Sequence, residues 1–358
     1  MPDADIIPFS PPGEPGGGSA DGREESPLGP SKAARLVGNT GPQPAAPAAA
    51  ARPESRPAVT VPAASERASA VAPPHEVWTD DEIPEDEGWL DFVRRRMAGD
   101  YGVDDFGFDP ELTDKVFLAL LRPLYRSWFR VETTGLEHVP ADSGALIVGN
   151  HSGVIALDAA MTQVALHDEH PAHRHLRMLG ANLVFQTPVM GEIARKAGHT
   201  LACHPDAERL LGAGELVGVW PEGFKGIGKP FSQRYKLQRF GRGGFVAAAL
   251  RTGAPIIPTA IVGAEEIYPM VANAKTVARV LGLPYFPVTP TFPWLGPLGM
   301  VPLPSKWHIH FGEPIPTDHF PEGAADDPMV VFNLTDQVRE QIQQSLYRLL
   351  VKRPSAFG

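Results

Sequence analysis

Two short apolar runs constrain this chain more than anything else in it. Ala145–Val148 and Leu216–Trp220 each stop abruptly in a polar, glycine-bearing turn. The first enters Gly149-Asn150-His151-Ser152-Gly153, and the second enters Pro221-Glu222-Gly223. Four or five apolar residues without alternation predict a strand buried on both faces, which is how parallel strands covered by helices read. Leu176–Leu179, Ile256–Val262 and Trp307–Phe311 have the same character. Helical patterns fall at 155–166, 188–198, 205–213, 243–252 and 328–352. The alternation predicts an α/β fold with a mixed, largely parallel sheet flanked by helices. Ligands of such sheets bind beyond the carboxyl ends of the strands. If the first two strands are parallel neighbours, His151 and Glu222 open onto one edge.

Composition divides the chain into three. Residues 1–75 hold 15 of the 39 prolines and one aromatic residue, Phe9. They are expected to form a disordered Pro/Ala/Gly-rich tail, because they lack the apolar surface that would offset ordering. Residues 76–108 read as an acidic linker: 76–114 carries 14 Asp or Glu against Arg94, Arg95 and Arg96. The domain is expected at 109–353, with Asp109-Pro110 as an N-cap and first helical residue. The formal charge of −10 therefore belongs to the linker, since 115–358 has 23 bases and 20 acids. If the slightly basic domain meets an anionic lipid surface, the acidic segment would compete with lipid for the basic face, so removing residues 1–108 is expected to leave vesicle binding unchanged or stronger. From 110 to 130, Phe117, Leu120, Leu121, Leu124 and Trp128 recur at helical spacing, while Arg122, Arg126 and Arg130 form a basic stripe. That pattern fits a helix on an anionic membrane surface or a core-facing helix with a solvated face. Pro123 is expected to kink or split it. The lone Cys203 excludes a disulfide framework and suits a reducing compartment. No uncharged apolar run reaches the length of a membrane-spanning helix, and no basic-then-apolar start suggests a secretory leader.

Chemistry concentrates in the two turns. A histidine beyond a strand end is suited to general-base work near neutral pH, with Asp158 orienting its ring. Seven residues of continuous helix would separate the pair by about 10 Å. A direct contact therefore requires 152–155 to be a loop, which Gly153 permits. Residues 222–251 carry seven bases (Lys225, Lys229, Arg234, Lys236, Arg239, Arg242 and Arg251) against Glu222 alone. Such a stretch suits phosphate, a lipid surface or a solvated face. Gly223, Gly228 and Lys229 approximate a P-loop, but Pro230 stands where the magnesium-holding Ser or Thr belongs.

With these motifs the chain resembles the glycerolipid acyltransferase superfamily over roughly 112–352, and its closest likeness is to a bacterial branch grouped with monoacylglycerol and diacylglycerol acyltransferases. Four blocks carry the resemblance: Gly149-Asn-His-Ser-Gly153 with Asp158; Asn182-Leu-Val-Phe185 through Gly198-His199; Trp220-Pro-Glu-Gly-Phe-Lys-Gly226; and Ala254 through Glu266. Two departures are plain. The usual aspartate position, after four intervening residues, is Ala156, and Asp158 follows after six. The phosphate-holding arginine of the second block has no counterpart in Leu201-Ala-Cys-His-Pro205.

The resemblance implies transfer of a fatty acyl group from acyl-CoA or acyl carrier protein to a glycerolipid hydroxyl such as that of lysophosphatidic acid. A neutral monoacylglycerol or diacylglycerol acceptor is the alternative, as is a catalytically silent lipid-surface protein. It implies His151 and Asp158 as catalytic residues. Ser152, Gly153, Asn182, Phe185, Glu222, Gly223, Phe224 and Lys225 are implied to bind substrate. No metal, cofactor or nucleic acid is called for. A cytoplasmic location, peripheral on the inner face of the cell membrane, is expected. Val280–Ser305 is uncharged with seven prolines, which suits a lipid-contacting loop or an irregular cover over the core. His167, His170, His173 and His175 read as a loop rich in His, Asp and Pro, with metal binding the alternative. Cys203 beside His204 reads as an ordinary pair, since neighbours in a strand point apart.

Overall fold

The computed structural model describes residues 88–357 apart from Arg242. The expected tail at 1–75, and the linker as far as 87, lie outside the described residues.

Helix α1 (Trp89–Ala98) is followed by a helix running unbroken over 110–128, here α2. Then come β1 (Glu132–Thr134), β2 (Ala145–Gly149), α3 (Leu157–Glu169), β3 (Leu176–Gly180), α4 (Asn182–Gln186) and α5 (Met190–Lys196). The chain continues through β4 (Thr200–Leu201), α6 (His204–Gly212), β5 (Leu216–Val219), α7 (Phe224–Ile227), α8 (Gly244–Thr252) and β6 (Ile256–Val262). A small hairpin of β7 (Ala272–Asn273) and β8 (Pro287–Val288) flanks α9 (Lys275–Val280), and β9 (His308–Phe311) and α10 (Pro328–Lys352) complete the chain. The main sheet has the order β1-β9-β6-β2-β5-β3-β4. Its pairs are parallel except β6 with β9. This is the expected mixed, largely parallel sheet.

Each strand of the sheet centre feeds two cores. Ala145 and Ile147 of β2 enter one apolar cluster with Leu118, Phe129, Met161 and Trp307; Leu146 and Val148 enter the other with Leu210, Val246, Val338 and Ile342. That double burial is why β2 shows no polar alternation. Asn150 ends the strand by reaching across to β6, accepting from the Ile261 N–H (2.7 Å) and donating to its carbonyl (3.0 Å).

Two expectations are corrected. The ordered part begins before Asp109, because α1 occupies the stretch read as linker. Its acids are not simply solvated. Arg96 pairs with Asp109 and Glu111, and Arg95 with Glu111 at 2.6 Å. Arg177 of β3, only 1% exposed, meets Asp104 at 2.6 Å and lies 4.5 Å from the Phe108 ring centre. Second, Pro123 neither kinks α2 apart nor ends it. The helix absorbs the missing donor by loosening into π-type turns on either side, at Thr113–Leu118 and Leu124–Trp128. The basic stripe of α2 is used internally. Arg122 and Arg126 both hold Asp168, and Arg130 donates to the carbonyls of Trp128, Pro304 and Phe357. The helix meets the core through Leu118 and Tyr125 with partly buried Leu121 and Leu124, while Leu120 and Trp128 of the expected apolar stripe stay exposed.

Candidate active site

The edge formed by the carboxyl ends of β2 and β5 gathers the two turns. After β2 the chain stays non-helical until Leu157, so His151 and Asp158 are not separated by a helical rise. His151 Nδ1 lies 2.8 Å from Asp158 Oδ2. A carboxylate only accepts, so Nδ1 donates and Nε2 is left with its lone pair. Asp158 is fully buried, and its Oδ2 also accepts the Ser152 N–H while Oδ1 accepts the Ala159 N–H. It sits in the first turn of α3, where the helix dipole favours a negative charge. The His151 side chain keeps 13% exposure, enough to meet a substrate from one side.

Glu222, after β5, clamps the histidine turn from the other side. Its Oε1 accepts the His151 N–H at 2.9 Å and its Oε2 accepts the Gln238 N–H at 2.6 Å. Lys229 is buried between Glu222 (3.5 Å) and Glu265 (3.0 Å). Burial raises the Glu265 carboxyl to about 7, against the opposing pull of Lys229. Two glycines make the approach possible. Gly223 adopts φ 53, ψ −141, a conformation nearly closed to other residues. A Cβ on Gly226 would fall 2.8 Å from the His151 Cβ, the His151 carbonyl oxygen and the Glu222 Cβ.

A narrow crevice of about 10 Å³, room for a single water, lies beside Lys229 and Glu265, lined by Gly153, Ile227, Phe231 and Tyr268 among others; His151 is not part of its lining. The Tyr285 hydroxyl donates to the Val154 carbonyl, tying the uncharged Pro-rich segment to the histidine loop.

The expected site residues divide by environment. Ser152 is fully buried and supports Asp158 with its N–H, so it does not face the crevice. Gly153 forms crevice wall, and Glu222 and Gly223 shape the turn behind it. Phe224 and Lys225 are exposed at the rim. Asn182 is exposed at the start of α4, beyond β3 on the same sheet edge. Phe185 packs inward: a Cβ on Gly180 would lie 3.1 Å from its ring, and Arg195 stacks over it at 5.3 Å. Lys229, Glu265, Gly226 and Tyr285 were not singled out for the site by sequence reasoning. Gly226 and Glu265 lay inside quoted blocks, and Lys229 among the bases of the 222–251 stretch.

Glu222→Gln tests the clamp. Either amide orientation sets an NH2 group against a backbone N–H, and each broken buried contact costs about 1–3 kcal/mol. The thermal midpoint is expected to fall by several degrees, with turnover down roughly tenfold. An unchanged melting curve and rate would show that the clamp has no role.

The acyltransferase family model matches residues 130–262. A Mycobacterium tuberculosis protein of uncharacterised function is 62% identical over 266 residues, 74% of each chain. A Mycobacterium leprae counterpart, likewise uncharacterised, is 60% identical over 74% of this chain and 72% of its own. A 25% identical match over 254 residues, 62% of this chain and 34% of the relative, is the chloroplastic phytyl ester synthase 2 of Arabidopsis thaliana. Among solved structures, the 1-acyl-sn-glycerophosphate (LPA) acyltransferase PlsC of Thermotoga maritima has a TM-score of 0.45 and 19% identity, covering 69% of this chain and 85% of its own. The chain belongs to the acyltransferase family.

Proposed function

We propose that this protein transfers a fatty acyl group from a coenzyme A or carrier-protein thioester to a glycerolipid hydroxyl, with His151 as general base. The observation that carries this reading is the His151–Asp158 contact beyond the carboxyl end of β2, with the His151 side chain still partly exposed. His151 Nε2 takes the proton as the hydroxyl oxygen attacks the thioester carbonyl, worth about 10²–10⁴ in rate. The oxygen–carbon bond forms, the carbon–sulfur bond breaks, and the proton passes from the imidazolium to the departing thiolate. Asp158 holds the ring and balances its transient charge.

A neutral acceptor is the second reading, and a specific contact favours it. Lys229, the buried base of the 222–251 stretch, is already matched by two carboxylates. The 201–205 stretch supplies no arginine. An acceptor phosphate would therefore rely on rim bases such as Lys225. Delivery from a membrane surface is part of the proposal. Trp294 and Leu298 are each 74% exposed on the uncharged segment whose Tyr285 touches the histidine loop. Interfacial aromatic and aliphatic side chains suit that contact.

The test is thiol release from palmitoyl-CoA and palmitoyl carrier protein, run against lysophosphatidic acid and monoacylglycerol in parallel. Release is expected at least about tenfold above the acceptor-free rate, as general-base activation of the acceptor hydroxyl requires. Preference for monoacylglycerol supports the neutral reading. Vesicle binding without thiol release from either donor would overturn the enzymatic proposal.

A further inference from the structure

Three side chains far apart in sequence meet on the outer side of α3, away from the crevice. Asp114 comes from α2, His167 from the last turns of α3, and His175 from the residue before β3. One ligand atom from each lies within 4.8 Å of the others. His167 Nε2 is 3.1 Å from Asp114 Oδ1, and His175 Nε2 is 3.7 Å from the same oxygen. The other histidines of this region are committed elsewhere: His170 Nε2 to the Val139 carbonyl and His173 Nδ1 to the His167 carbonyl.

We propose that Asp114, His167 and His175 bind a first-row divalent metal ion of the zinc class. Bonds near 2.0–2.1 Å in a tetrahedral arrangement place donor atoms about 3.3 Å apart, close to the 3.1 and 3.7 Å observed. Asp114 Oδ1 is buried without a well-formed hydrogen bond, although His167 Nε2 is within reach, and a cation shared with the two imidazoles would satisfy it. The surroundings provide the support such ligands need. His167 Nδ1 lies 3.4 Å from Asp168 Oδ1, and Asp168 is itself fixed by Arg122 and Arg126. A carboxylate behind a ligating imidazole sets its tautomer and orientation. Three protein ligands leave a fourth position for water. The ion would clip α2 to α3 and to the start of β3.

This site is separate from the proposed catalysis. Nine residues of α3 divide His167 from Asp158, about 13 Å of helix rise. The ion's role is structural, so its test reads binding and stability.

The full chain, stripped with a chelator, is titrated with Co²⁺ and followed by its visible d–d absorption, then by displacement with Zn²⁺. One tetrahedral Co²⁺ per chain is expected, with the thermal midpoint raised by saturating Zn²⁺. Asp114→Asn, nearly the same shape, and His175→Ala are each expected to weaken Co²⁺ binding roughly 100-fold or more. His319→Ala, an exposed histidine outside the cluster, should bind as the unaltered chain does. Should His175→Ala fail to give a folded circular dichroism spectrum, Asp114→Asn decides. No Co²⁺ absorption in the unaltered chain, or undiminished binding by a folded variant, overturns the proposal and leaves an ion-pair cluster only.

Discussion

His151→Ala is expected to lower acyl transfer about 10²–10⁴-fold while the protein stays folded. Two features make the outcome separable from unfolding. The ring is not part of either apolar core, and its side chain is partly exposed. The backbone N–H that Glu222 accepts is unaffected by the substitution. Asp158→Asn is a different experiment, because Asp158 also receives the Ser152 and Ala159 N–H groups. It should slow turnover and loosen the histidine loop together, lowering the thermal midpoint as well as the rate. Thiol-release kinetics beside a melting curve distinguish the two variants. Activity retained by His151→Ala at close to the original rate would remove the histidine from the chemistry. The carboxylate pair Glu222 and Glu265 around Lys229 would then be the next titratable groups to examine.

The sheet was legible because its central strands are buried on both faces, so β2, β5 and β6 appear as apolar runs that need no alternation to be found. The edge strands β1 and β4 were not legible. Glu132–Thr134 and Thr200–Leu201 are short and partly polar, and they become strands only through pairing with β9 and β3. Short helices such as α4 and α7 escaped for a related reason: five and four residues carry too little periodicity. At the site, the His151–Asp158 pairing followed from spacing and a glycine. Lys229 did not. A lysine in the most basic stretch of the chain reads as a base for phosphate or lipid or as part of a solvated face, and its second partner, Glu265, arrives 36 residues later on another strand's end. The histidines at 167 and 175 looked like loop residues because Asp114, from a helix more than fifty positions earlier, gives no local sign of joining them.

The acidic stretch before Asp109 yields the second large effect, because part of it is packed into the fold. A chain beginning at Asp109 would lack Asp104, whose carboxylate meets Arg177 at 2.6 Å, and Phe106 and Phe108, whose rings flank the guanidinium at 5.7 and 4.5 Å. Arg177 would keep Glu215, at 3.2 Å, as its remaining carboxylate. Arg177 is buried but Asp104 is 35% exposed, so the loss is expected to fall below the roughly 3–5 kcal/mol of a fully buried pair, on the order of 1–2 kcal/mol. The shortened chain is therefore expected to unfold at a clearly lower urea concentration than the full chain. Arg177→Met supplies the discriminating comparison. In the full chain it strands Asp104 and should destabilise. In the shortened chain it removes an under-compensated charge and should recover part of the loss. Equal urea midpoints for full and shortened chains would show that the Asp104–Arg177 pair adds no stability. If the shortened chain is destabilised as expected, a change in its vesicle binding reports altered folding rather than release of acidic competition for lipid, so that competition has to be tested by neutralising the acids in place.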